Sequence, residues 1–293
     1  MLRPRSLASQ GISESNRWLW ASRRGVWAAA SLVLGGCLQL TGVQGFEKGA
    51  CEGPCPDGGA DSPANDGVTD AGGCPAGLVH VPGGSYTPTS RPTGGSVRVD
   101  GLCVDATEVT ESAYRACVSA GTCTAPTSSP YCNYGRPGRD NDPINCVDVT
   151  QSKTYCATRG ARLPTEDEWE WVARGGALGF AYPWGNFDPA AKDDPELLCW
   201  QGKTKRDDET VWPARPMGTC PVKSFAGGAR DGIFDLSGNV WEWTSTAEGT
   251  AFVFRGGSFF DPATDLGTFK VSARKVAASA PYGGVGFRCV RAE

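Results

Sequence analysis

The chain has 293 residues, 40% of them apolar and 10% aromatic, with 28 lysines and arginines against 32 aspartates and glutamates. That length and apolar content suffice for a packed domain, and a net charge of −4 with no basic stripe excludes an electrostatic nucleic-acid surface. One histidine and 13 cysteines exclude histidine-rich metal chemistry and point to an oxidising compartment.

In chain order, residues 1–36 carry five arginines against one glutamate, a net of +4 that leaves −8 on the remainder. They end in an apolar run, Gly25 to Gly36, shorter than the roughly 20 residues that span a bilayer, which reads as a secretory signal. Its end, Leu34-Gly-Gly-Cys37, resembles a bacterial lipobox, so lipidation is expected at Cys37, and Leu38 after it favours the outer over the inner membrane. Ser22-Arg-Arg-Gly-Val-Trp27 also resembles a twin-arginine export signal. Residues 37–73 are then an acidic, aromatic-poor tether that cannot bury enough surface to offset its ordering entropy, with a small Cys51 to Cys55 loop possible in it. The globular domain is expected over 74–293.

Within it, Leu78-Val-His-Val-Pro82 and Ser96 to Val104 read as short strands, His80 being a strand residue between two valines. Thr110 predicts the cap of a helix over 111–120, Thr150 the cap of a second over 151–159, and Gly121 and Gly160 their ends. Thr165-Glu-Asp-Glu168 is a capping-box signature that predicts a third helix burying Trp169 and Val172 and stopping at Gly175. Beyond it no period is sustained, and irregular loops with a few strands are expected.

Five blocks stand out in this second half: Arg162-Leu-Pro-Thr-Glu-Asp-Glu-Trp-Glu-Trp171, Tyr182-Pro-Trp-Gly-Asn186, Asp235-Leu-Ser-Gly-Asn-Val-Trp-Glu-Trp243, Arg255-Gly-Gly-Ser-Phe259 and Gly286-Phe-Arg-Cys289. Together they resemble the sulfatase-modifying-factor family, whose founding member is the formylglycine-generating enzyme. The resemblance implies an α+β, C-type-lectin-like variant fold with little regular secondary structure and many disulfides. It also implies a copper-binding pair of thiolates just after the Arg-Gly-Gly-Ser block. In this chain those two positions fall at about Asp261 and Leu266, and 255–267 contains no cysteine. A carboxylate and an aliphatic side chain cannot replace soft thiolates, so copper is not expected. Iron is not expected either, because the sulfoxide synthases that share this fold take it through histidines of an added helical domain, and the chain has neither.

The resemblance further implies calcium held by Asp235, the carbonyls of Gly238 and Val240, and Glu242, a donor set that hard-cation chemistry supports. The alternative is a plain turn in which Asp235 and Asn239 satisfy backbone donors. A second calcium site is not expected, since Leu197-Leu-Cys-Trp-Gln201 offers an aliphatic residue where the family places an asparagine oxygen. The resemblance also pairs Cys156 with Cys289. Proximity along the chain suggests Cys74 with Cys103, Cys117 with Cys123, Cys132 with Cys146, and Cys199 with Cys220.

No catalytic constellation replaces the missing thiolates. There is no Gly-x-Ser-x-Gly elbow and no phosphate-binding loop, and Glu166, Asp167 and Glu168 are explained by a helix N-terminus. Three function classes remain. The first is a non-catalytic binding module with a groove near Arg255, Ser258, Asp261 and Trp184, presented to a peptide, a glycan or an envelope protein. The second is an oxidoreductase with another metal on Asp261 or Asp265. The third is a structural envelope protein.

Overall fold

The computed structural model describes residues 73–91, 94–189, 197–200, 218–262 and 265–293. The leader, the lipidation site at Cys37, the tether over 37–72 and its Cys51 and Cys55 lie outside the described residues. All the described residues fall in one compact unit spanning 61–293. Among them no helix is long and apolar enough to cross a membrane.

Among the described residues three small sheets and three short α-helices build this unit. Strands β1 (Leu78–Val81), β4 (Leu102–Asp105) and β9 (Val290–Ala292) form one sheet with β4 central. The run 96–104 is divided at Asp100-Gly101 into β3 (Val97–Val99) and β4, and β3 pairs instead with β2 (Gly84–Tyr86). The largest sheet has the order β7-β6-β5-β8, with β5 at Trp241–Glu248, β6 at Ala251–Arg255, β7 at Arg274–Ala278 and β8 at Val285–Gly286. Strand β5 lies between β6 and β8 in this sheet, and its first four residues are all buried, the polar Glu242 and Thr244 included.

Helix α1 (Glu111–Ser119) starts on Thr110, whose hydroxyl accepts the N–H of Ala113 at 3.2 Å. Helix α2 (Val149–Thr158) corrects the sequence expectation, because its cap is Asp148 and not Thr150. The Asp148 carboxylate accepts from Gln151 N–H at 2.8 Å, and the Gln151 side chain accepts from Asp148 N–H at 3.0 Å. This reciprocal pair is stronger than a lone threonine hydroxyl and moves the start two residues earlier. Helix α3 (Glu166–Ala173) has the capping box that its sequence predicts, buries Trp169 and Val172, and is followed by Gly175 in the left-handed region at φ 69°.

Aromatic residues dominate the two main cores. Tyr114, Tyr155, Trp241, Trp243, Phe254 and Phe287 fill the one beneath α1, α2 and β5. Trp169, Trp171, Val172, Leu236 and Ile233 fill the one between α3 and the N-terminal strands. All ten described cysteines are paired, as Cys74–Cys103, Cys117–Cys123, Cys132–Cys146, Cys156–Cys289 and Cys199–Cys220. The fourth closes a separation of 133 residues and ties α2 to the residue just before β9.

Candidate functional site

Strand β6 delivers Arg255 into a turn that only glycine can make. Gly256 and Gly257 have φ of 106° and 79°, and a Cβ on Gly257 would lie 2.7 Å from the Phe269 ring. The turn brings Ser258 and Asp261 against Trp241 at the start of β5. One oxygen of Asp261, Oδ2, accepts from Ser258 N–H at 2.9 Å, Ser258 Oγ at 2.8 Å and Trp241 Nε1 at 2.8 Å. Its other oxygen meets Lys275 Nζ from β7 at 3.1 Å, and that ammonium lies 4.5 Å from the Trp241 ring centre. The carboxylate at the first expected thiolate position is therefore a clamp joining β5, β7 and the turn. Leu266, at the second, begins a 3-10 turn and packs against the apolar cluster of Tyr182, Leu197, Leu198, Trp200 and Phe269. Asp265 accepts the Thr268 hydroxyl at 3.0 Å within that turn.

Near Ser258 the exposed Tyr131, 50% accessible, meets Phe260 edge to face at 5.1 Å, while the 38% exposed Tyr282 packs on Trp243 at 6.0 Å. Gly283 and Gly284 let the turns approach here, since Cβ atoms on them would lie 3.1 Å from Tyr131 and 3.0 Å from Phe260.

Arg255, expected in the groove, is instead committed to the core. Arg255 is fully buried, pairs with Glu170 of α3 through Nη2, and rests 5.5 Å from the Trp169 ring centre. It joins α3 to β6 and presents nothing to a groove. Glu170 also accepts from Thr89 N–H at 2.6 Å, Thr89 Oγ1 at 2.7 Å and Ser90 Oγ at 2.7 Å. Burial alone would raise its pKa, but Arg255 and these donors outweigh it and hold the carboxyl below the usual range. Trp184 stacks on Tyr182 at 5.1 Å, donates to the Phe187 carbonyl at 3.1 Å and joins the cluster containing Leu266.

Of the expected calcium donors, Asp235, Gly238 and Val240 lie on the loop before β5 and Glu242 is the second residue of β5. Asp235 and Asn239 both have positive φ, at 58° and 57°. Asp235 Oδ2 accepts from Lys223 N–H at 2.8 Å, and Asn239 Oδ1 accepts from Cys220 N–H at 3.0 Å, which are contacts of the kind a plain turn makes. Glu242 is held by Arg288 through two bonds of 2.6 and 2.8 Å and by Trp169 Nε1 at 2.7 Å. A third carboxylate, Glu108, accepts from Asn239 Nδ2 at 2.7 Å and Val240 N–H at 3.1 Å. Burial, reinforced by the neighbouring Asp235 and Glu242, pushes Glu108 well above its ordinary pKa. Burial likewise pushes Asp235 up to about 6. Glu108, Asp235 and Glu242 are buried near Arg288 and supply hard oxygen donors of the kind a divalent cation takes. Among the described residues no group of three or more His, Cys, Asp or Glu side chains is arranged to hold a metal by itself, so main-chain carbonyls would have to complete the shell.

Trp241, Lys275, Tyr131, Tyr282 and Glu108 were not singled out in the sequence. Trp241 sits in a recognisable block, but nothing local marks the other four.

Comparison with known proteins agrees with this architecture. The sulfatase-modifying factor enzyme 1-like domain family matches residues 68–293. A Bos taurus protein named inactive C-alpha-formylglycine-generating enzyme 2 is 37% identical over 155 residues, covering 50% of this chain and 49% of its own length. The formylglycine-generating enzyme of Streptomyces coelicolor is 32% identical over 177 residues, covering 52% and 53%. The chain thus spans about half the length of these curated relatives. Among solved structures, PvdO from Pseudomonas aeruginosa shares the fold with a TM-score of 0.55 at 22% identity, covering 74% of this chain and 94% of its own. Treponema denticola variable protein 1 does so with a TM-score of 0.55 at 17% identity, covering 74% and 95%. By its five sequence blocks, its disulfide-tied fold and the match over 68–293, this chain belongs to the sulfatase-modifying factor enzyme 1-like family.

Proposed function

We propose that the domain is a non-catalytic binding module, exported, anchored by lipid at Cys37 to the outer membrane and carried on the tether 37–73. The observation that carries this reading is Asp261. It stands where the family's first thiolate is expected, and both its oxygens are committed to Ser258, Trp241 and Lys275. All ten described cysteines are in disulfides, which leaves no thiolate pair among the described residues. The name of the Bos taurus relative, an inactive enzyme, is in keeping with loss of chemistry on this fold. The exposed ring of Tyr131, packed on Phe260 two residues from Ser258, offers the kind of surface on which a peptide, a glycan or an envelope protein docks. Calcium, if bound through Asp235, the carbonyls of Gly238 and Val240, and Glu242, would neutralise the buried carboxylates and brace the loop that leads into β5.

The test is elemental analysis of the disulfide-intact protein together with oxygen uptake in the presence of copper and a Cys-x-Pro-x-Arg peptide. Calcium near one equivalent with no peptide-dependent oxygen uptake is the expected result. Peptide-dependent uptake, or stoichiometric retained copper or iron, overturns the non-catalytic reading.

A further inference from the structure

A cavity of about 470 Å³ opens between the β1–β2 turn, the end of α3 and the turn 230–233. None of its lining residues belongs to the Ser258 surface. Its walls are mainly apolar, with Pro82, Trp171, Val172 and Ile233 among its lining residues, and its volume lies in the range of small-molecule sites. Its polar lining includes Arg230 and His80. His80 Nε2 is enclosed, makes no hydrogen bond and lies 3.3 Å from the exposed Glu293 carboxylate.

Arg230 is the distinctive member. The tight turn Arg230-Asp231-Gly232-Ile233 has φ of 49° and 87° at its two central residues, and Arg230 and Ile233 exchange two backbone hydrogen bonds of 2.8 Å. This turn fixes the Arg230 backbone. Its side chain is fixed in turn by the Phe180 ring, 4.6 Å from the guanidinium, and by the Pro183 carbonyl, which accepts from Nε at 2.7 Å. The guanidinium is therefore held in place before any ligand arrives.

Among the described residues it lacks a close counter-charge. Its side chain is only 14% exposed, yet its one carboxylate neighbour among those residues is Asp231 at 4.0 Å, itself 75% exposed. Several arginines buried to a similar degree are closely paired with carboxylates. Arg139, Arg274 and Arg288 hold carboxylates at 3.0 Å or less, and Arg255 holds Glu170. A largely desolvated cation with a weak partner, at the edge of an apolar cavity, is the arrangement that an anionic ligand completes.

From this we infer that the cavity is a binding site for a small, mainly apolar monocarboxylate, its body against Trp171, Val172 and Ile233 and its carboxylate on the terminal nitrogens of Arg230. A single guanidinium suits one planar carboxylate, whereas a phosphate dianion would be left with one cation and the repulsion of Asp231.

The experiment is calorimetric titration of the disulfide-intact protein with phenylacetate and octanoate, with phenylacetamide as the neutral counterpart. A Kd near or below about 1 mM is expected for at least one acid, with the amide weaker by about tenfold or more. Arg230→Gln should remove that preference for the acid. Ala177→Trp, on the exposed rim of the same cavity, should abolish binding while leaving Arg230 untouched. Absence of saturable binding for both acids overturns the inference. Equal binding of acid and amide, or unchanged affinity in Arg230→Gln with native near-ultraviolet circular dichroism, also overturns it. These outcomes are independent of whether the Ser258 surface binds anything.

Discussion

The pair Arg255 and Glu170 makes a prediction in which the two halves of one ion pair behave unequally. Both side chains are fully buried. Glu170→Leu strands the Arg255 guanidinium in the core against the Trp169 face, without its carboxylate partner. Removing one partner of a buried pair in this way costs about 3–5 kcal/mol. Arg255→Leu leaves Glu170 with its three remaining donors, from Thr89 and Ser90, so it loses one charge-assisted hydrogen bond worth about 2 kcal/mol. The double variant should be less destabilised than the sum of the two, by about 2 kcal/mol, because the stranded charge is gone.

The assay is urea unfolding with disulfides intact, read by tryptophan fluorescence and compared at equal m-value. A pH series adds a second readout. Glu170 is held below the ordinary carboxylate range, so its contribution is present above the unfolded pKa of about 4.3 and is lost as pH falls through the lower folded value. Arg255→Leu removes a principal cause of that lowering, so its acid-side loss of stability should begin at a higher pH than in the wild type. Equal or larger damage from Arg255→Leu than from Glu170→Leu, or strict additivity, would falsify the reasoning.

Three further predictions concern the staple, the clamp and the cation loop. Replacing Cys156 and Cys289 together by serine should cost about 5 kcal/mol in the chain-entropy account, seen as a lower urea midpoint, and a loss below about 2 kcal/mol would show that the bridge does not act mainly on the unfolded chain. Asp261→Ala should cost about 2–3 kcal/mol by stranding Trp241 Nε1 and the two Ser258 donors, whereas Asp261→Asn keeps an acceptor for them and should cost under about 1 kcal/mol. Differential scanning calorimetry of both variants checks that ordering. Calcium at about a hundred times its Kd should stabilise the protein by about 2.7 kcal/mol relative to chelator, and Asp235→Ala should remove the effect; a melting temperature indifferent to calcium would count against the site.

Much of the architecture was legible because its signals are local. A cap and its target are three residues apart, so Thr110 and Thr165 announce α1 and α3 in the sequence itself. Even the misplaced cap of α2 came from a local contest, between Thr150 and an Asp148 whose carboxylate exchanges hydrogen bonds with Gln151. The five blocks carried the family, and the pairing of Cys156 with Cys289 came with the resemblance, while the shorter pairings followed proximity in the chain. What the sequence could not announce depends on residues brought together from far apart. Asn239 meets Glu108 across 131 positions, Arg255 meets Glu170 across 85, and Asp261 meets Trp241 across 20. Whether an arginine lines a groove or seals a core, and whether an aspartate awaits a ligand or clamps two strands, is decided by burial and by which donors arrive beside it. Those are properties of packing, and only the tertiary structure settles them.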